Sequence, residues 1–252
     1  MRCGPILVCA ALLLTGSAAP AAGQPVYRLL GLVTDEKGKA IEGAEVNVEA
    51  MYGYAAGTFA GQRTFSAKTD AKGKWNVLGL KSGVWIFEVI APGYLPEVVG
   101  LPITILTTVS SRESGNALNW TLVLKPEAMP TGPHGDALSA ALDAARAGRK
   151  EEAKSSLLRI PATAGPAYLA GAARIAIVAH EFETAHTLYA NALQEDPSAY
   201  RTALGLATGF LIKRDFDSAS RAFDAARART HDKDEVRFIT IALTDLATIK
   251  VR

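Results

Sequence analysis

The chain is predicted to be a multidomain β + α protein: an N-terminal antiparallel β-sandwich followed by a C-terminal α-helical hairpin repeat array. Three observations predict this. From about Gln24 to Lys125, short β-branched and aromatic runs are broken by Gly, Asp, Asn and Pro, the texture of strands and tight turns. The stretch KPEAMPTGPHG, residues 125–135, carries three prolines and two glycines, through which neither helix nor ladder persists. Beyond it an alanine recurs after a polar helix start at Ala153, Ala185 and Ala219, at intervals of 32 and then 34 residues. A period in this range marks a helical hairpin that buries its apolar face only by stacking on a neighbour.

The segments follow in chain order. Residues 1–23 read as a secretory signal peptide: Met1 and Arg2 are charged, Ile6 to Leu14 is apolar, and Ala18 to Gly23 is small, with cleavage expected at Ala21 or Gly23. The apolar run falls short of the roughly 20 residues a bilayer span needs, so no stable membrane span is expected after cleavage. The mature protein is expected to be periplasmic or secreted. Both cysteines, Cys3 and Cys9, leave with the signal, so stability must come from packed cores.

Residues 24–125 form the expected sandwich. Strands are predicted at Tyr27–Val33, Ala44–Met51, Arg63–Thr69, Trp75–Leu78, Val84–Ala91, Ile103–Val109 and Ala117–Leu124. In the second, Val46 and Val48 share one face while Glu45, Asn47 and Glu49 share the other, so one face is wet. In Val84–Ile90 both faces are apolar except at Glu88, which predicts a central strand. The turns DEKG at 35–38 and DAKG at 70–73 each pair an aspartate that accepts from following amides with a glycine at positive φ, and each is a hairpin signal. Trp75, Trp85 and Trp120 are expected to fill the core.

The stretches GLVTDEKGKAIEGAEVNV and KTDAKGKWNVLGLKSGVWIFEVIAPGY resemble the carboxypeptidase regulatory-like domain, a small transthyretin-like sandwich. The matching positions are Gly31, Val33, Asp35, Gly38, Ile41, Gly43, Ala44, Val46, Thr69, Asp70, Gly73, Leu80, Gly83, Gly93 and Tyr94. The resemblance covers roughly residues 27–100 and implies a non-catalytic accessory domain with a carbohydrate-binding-like fold. The chain departs from the family in its Gly- and aromatic-rich insert, Tyr52 to Phe65, and in its strands past Leu101.

Residues 126–135 are read as a Pro/Gly linker, and 136–252 as the repeat array. Four places after each repeated alanine stands Leu157, Tyr189 or Phe223, and three further on Ile160, Ala192 or Ala226. These repeats resemble the tetratricopeptide family, in units of roughly 134–165, 166–199 and 200–233 with a C-terminal capping helix from Asp234 to Lys250. The glycine that the family places in the inter-helix turn survives as Gly148 and is replaced by His180 and Arg214.

A formal net charge of +2, with no dense run of Lys and Arg, argues against nucleic-acid binding. There is no G-x-S-x-G, cysteine nucleophile, phosphate loop or H-E-x-x-H, so no catalytic residue is assigned and the chain is expected not to be an enzyme. No cofactor or metal is expected either. His180 and Glu183 have the H-x-x-E spacing that zinc carboxypeptidases use, but a repeat turn explains both residues.

The expected function is that of an exported, non-catalytic protein-binding scaffold of the bacterial cell envelope. The tetratricopeptide resemblance implies that the first helix of each unit lines a concave groove. That places Leu138, Leu142, Arg146, Arg174, Ile177, Arg201, Thr208 and Leu211 against a protein segment, whose carboxylate an arginine would hold. One alternative is a carbohydrate-binding accessory protein in which Tyr52, Tyr54, Phe59 and Phe65 of the sandwich stack on glycan or peptidoglycan. A second is an unrecognised hydrolase.

Overall fold

The computed structural model describes residues 27–53, 64–104 and 117–250. The described strands are β1 (Tyr27–Val33), β2 (Glu45–Gly53), β3 (Thr64–Lys68), β4 (Lys74–Leu80), β5 (Gly83–Ile90), β6 (Glu97–Ile103) and β7 (Ala117–Leu124). The helices are α1 (Pro133–Arg146), α2 (Lys150–Leu157), α3 (Pro166–Val178), α4 (Phe182–Glu195), α5 (Tyr200–Ile212), α6 (Phe216–Arg227) and α7 (Lys233–Lys250).

The strands make two stacked sheets, a three-stranded one ordered β4-β1-β7 and a four-stranded one ordered β3-β2-β5-β6. Leu29, Val33, Trp75 and Val77 of the first sheet share a core with Val46, Val48, Phe87 and Leu101 of the second. Trp75 and Trp85 are buried in it, as the sequence predicts, while the Trp120 side chain lies outside the described residues. β2 alternates as predicted, with Glu45, Asn47 and Glu49 on its wetter face. β5 is internal to its sheet and buried on both faces except at Glu88.

Three details differ from the sequence reading. β7 runs parallel to β1 in an otherwise antiparallel arrangement. It pairs with a strand at the far end of the domain, so no tight turn dictates its direction. Both aspartate turns form, with Lys37 and Lys39 amides donating to Asp35 Oδ1 and Lys72 and Lys74 amides to Asp70 Oδ1. The second turn is not a hairpin, however: β3 pairs with β2 and β4 with β1, so it carries the chain from one sheet to the other. Finally, β6 spans Glu97–Ile103, whereas the predicted strand began at Ile103; residues 105–109 lie outside the described residues. Gly100 and Pro102 hid it from propensity. Pro102 is tolerated because β6 is an edge strand bonded only to β5 among the described strands.

The helices pair as α1/α2, α3/α4 and α5/α6, with α7 closing the array, which are the units expected from the repeat. Ala153, Ala185 and Ala219 are buried, as are Leu157, Tyr189 and Phe223 beside them. The turn residues Gly148, His180 and Arg214 take φ of 71°, 58° and 62°. Each hairpin turn closes with equivalent bonds: Arg149, Glu181 and Asp215 amides donate to the carbonyls of Ala144, Ala176 and Phe210. The local geometry repeats even where the glycine does not.

The array does not stand apart from the sandwich. One apolar cluster joins Ile86, Leu95 and Val98 of the β region to Leu138, Leu169 and Ala173 of α1 and α3. The other runs from the sandwich interior to Leu204, Leu211 and Phe238 of α5 and α7. The molecule is therefore three layers, sheet on sheet on helices, with the first helix of each hairpin turned toward β5 and β6.

Candidate functional site

The concave face of the array exists, and the chain's own sheet fills it. Leu138, Leu142, Ile177, Thr208 and Leu211 are all buried, so the open groove expected from the sequence is corrected. The Gly100 amide donates to Thr208 Oγ1 at 2.9 Å. A Cβ on Gly100 would lie 3.0 Å from Leu211 Cδ1, so the missing side chain is what lets α5 reach the strand. The physical reason is apolar supply: the outer face of β5–β6 presents Ile86 and Val98, which need a cover, and the inner helices present leucines with the same need.

The three arginines fall in two places. Arg146 lies at the end of α1, in an open cleft of ≈ 640 Å³ lined by Glu45, Asn47, Glu49, Glu88 and His180. Its Nη2 sits 3.1 Å from Glu45 Oε2, and His180 Nε2 sits 4.0 Å from Glu49 Oε2. Burial pushes the Glu88 carboxyl up; Asn47 opposes the rise and the neighbouring Glu49 adds to it. Glu183, the other half of the H-x-x-E pair, is held by Lys213 Nζ at 2.7 Å, away from His180.

Arg174 and Arg201 converge instead on a second cleft of ≈ 650 Å³. Its walls are residues 125–130, the loop before β6, and the N-terminal ends of α3, α5 and α7. One carboxylate joins the two guanidinium groups: Glu127 Oε2 accepts from Arg174 Nη2 at 2.6 Å, and Glu127 Oε1 lies 3.2 Å from Arg201 Nη1. The arginine side chains are 5% and 14% exposed, against 34% for Glu127. Burial raises the Glu127 carboxyl, but Arg174 and Arg201 outweigh it and hold it below the usual carboxylate range. Glu97 on β6 sits beneath, 3.9 Å from Arg174 Nη1, and its burial pushes its carboxyl up despite both arginines.

The rest of the cleft is also paired. Lys125 Nζ binds Asp232 Oδ2, Arg201 Nε donates to the Tyr200 hydroxyl at 2.8 Å, and that hydroxyl donates to Glu235. Arg174 Nη1 and Arg201 Nη1 are buried and make no hydrogen bond.

The segment expected as a linker is tied down. The Leu95 amide donates to the Glu127 carbonyl at 2.8 Å, the Met129 amide donates to the Gly93 carbonyl at 2.9 Å, and Tyr94 and Ala128 form an antiparallel bridge. α1 begins within that segment, at Pro133. Glu97 and Glu127 were not among the sequence-derived site residues, the first because its strand was missed and the second because it lay in a stretch read as connection. The signal available was the repeated Pro-Glu pair, Pro96-Glu97 and Pro126-Glu127, each placing an acid where the backbone is extended.

The aromatics offered to glycan are partly accounted for. The Tyr52 hydroxyl donates to the Leu211 carbonyl and the Arg214 guanidinium lies 4.3 Å from its ring centre, while Phe65 packs on Trp85 at 5.7 Å. Tyr54 and Phe59 lie outside the described residues. His186 stacks edge-on against Phe210 at 5.0 Å.

No family model matches the chain, and no curated protein matches it. Among solved structures it is similar to the TPR2B domain of yeast Sti1 in its pHsp70 complex, with 17% identity, TM-score 0.39, and 46% of this chain and 96% of that one covered. It is similar to the Sgt2 TPR domain from Aspergillus fumigatus, with 19% identity, TM-score 0.38, and coverage of 48% and 80%. It is also similar to catechol 1,2 dioxygenase from Acinetobacter radioresistens, with 16% identity and TM-score 0.32, covering 42% of this chain and 53%, about half, of the enzyme.

Proposed function

We propose that the protein is an exported, non-catalytic scaffold that binds an acidic segment of another protein in the cleft bordered by residues 125–130 and the starts of α3, α5 and α7. The observation that carries this reading is the convergence of Arg174 and Arg201, from two neighbouring hairpins, on one carboxylate at the wall of an open cleft. Paired guanidinium groups hold carboxylates by short, charge-assisted bonds, and an extended segment fits a cleft of this size. Most of the sequence-derived groove is used up in holding the sheet, so the binding surface contracts to its rim.

Export rests on the Met1 to Gly23 pattern, and membership of the sandwich in the carboxypeptidase regulatory-like family rests on the Gly, Asp and Tyr spacing of residues 27–100. No chemistry of its own is assigned to the protein.

The test is direct binding. A fluorescein-labelled octapeptide carrying two adjacent glutamates is titrated against the full chain, with its diglutamine twin as control. The wild type should bind the acidic peptide, and Arg201→Ala should weaken binding by about tenfold, as expected for loss of one charge-assisted contact. Equal affinity for the two peptides, or no effect of Arg201→Ala, removes this cleft as the site.

A further inference from the structure

The arginine pair is already occupied by the chain's own Glu127, and three features make that occupancy exchangeable. The carboxylate that bridges Arg174 and Arg201 belongs to a segment pinned by the Leu95–Glu127 and Met129–Gly93 backbone bonds and one bridge. Its side chain is a third exposed and borders the open cleft, so solvent and solutes reach it. The guanidinium groups also retain unused donors: Arg174 Nη1, on a side chain 95% buried, and Arg201 Nη1 make no hydrogen bond. A single carboxylate leaves part of each fork idle, whereas two neighbouring carboxylates engage more of it.

We propose that residues 126–130 are a built-in competitor: Glu127 fills the arginine pair in the free chain, and the acidic segment of a partner displaces it. The inference rests on the reading given under Proposed function and adds its regulation. Glu36, whose Oε1 lies 3.8 Å from Arg201 Nη1, and the buried Glu97 remain beside the arginines throughout. They penalise a weakly charged guest and leave Glu127 as the group whose departure makes room. The affinity measured for any guest is lowered by the fraction of molecules in which Glu127 is bound.

The experiment extends the titration to Glu127→Gln. Removing the competing charge should tighten binding of the diglutamate octapeptide by about tenfold over wild type, with no gain for the diglutamine twin. Equal dissociation constants for wild type and Glu127→Gln, with Arg201→Ala still weakened, overturn the competitor while leaving the binding site standing. Absence of binding by all three overturns both.

Glu127→Gln also leaves two arginines less well compensated, so a readout on the unaltered protein is paired with it. Amide hydrogen exchange of wild type saturated with the diglutamate peptide should accelerate at Leu95 and Met129, the amides that pin the segment, by about fivefold relative to unliganded protein. Unchanged protection at both amides with the peptide bound overturns displacement.

Discussion

At the turn inside each helical hairpin one residue must adopt φ near 60–70°, and the three repeats meet this need differently. Gly148 does so without strain, while His180 and Arg214 carry side chains in a conformation that costs roughly 1 kcal/mol or more. Their contacts differ in what they return. The Arg214 guanidinium lies 4.3 Å above the Tyr52 ring, and that tyrosine is bonded to the Leu211 carbonyl, so the residue ties hairpin to sheet. Such a cation–π contact contributes about 0.5–1 kcal/mol and offsets much of the strain. His180 has only a 4.0 Å approach to Glu49 with both side chains nearly half exposed, which contributes little. His180→Gly is therefore expected to stabilise the protein by about 0.5–1 kcal/mol, whereas Arg214→Gly leaves stability nearly unchanged. Urea denaturation midpoints of the two variants compared with wild type decide the matter; a destabilised His180→Gly refutes this account of the turn.

At the scale of elements, the decisive contact is α5 on β6. Gly100 withholds a side chain so that Leu211 and Thr208 approach, and Thr208 Oγ1 accepts the Gly100 amide while donating to the Leu204 carbonyl. An edge strand thus finds one partner for its outward amide in a helix side chain. Thr208→Val keeps the shape but leaves that buried amide unpaired, a loss of about 1–2 kcal/mol, while Thr208→Ser retains most of the stability. Thermal melts of the two variants provide the comparison, and a Thr208→Val protein that melts with wild type would show the bond to be dispensable. The Glu97 position belongs to the same junction: β6 brings it beneath α3 and α5, where both arginines face it. A buried acid of this kind is tolerable only next to such partners.

At the scale of the whole molecule, the sandwich and the array complete one another's cores. Each apolar cluster contains residues of both, so neither half has a closed interior alone. A fragment comprising residues 133–250 would expose the inner face of α1, α3 and α5, including Leu138, Ile177 and Leu211, now buried on the sheet. It is expected to bind the dye ANS strongly and to melt well below the full chain or without cooperativity. A monomeric fragment with native-like melting and no dye binding would mean that the interface is not needed for the fold.

Periodicity determined much of this architecture from the sequence alone. The alternation of Glu45, Val46, Asn47 and Val48, the near-continuous apolar run of β5, and the recurrence of Ala153, Ala185 and Ala219 each report a local repeat of the backbone, which sequence order carries directly. The αL turn was legible at Gly148 and only by spacing at His180 and Arg214. β6 was obscured by Gly100 and Pro102, whose reasons lie in α5 and in the open edge of the sheet. The arginines of the site were legible as inner-helix cations, but their partners were not: Glu97 and Glu127 are 77 and 47 positions away from Arg174 along the chain. Only the tertiary structure decided that the sheet, rather than a guest, fills the concavity. Which apolar face covers which is a competition among all exposed faces of the chain, and no local pattern encodes its winner.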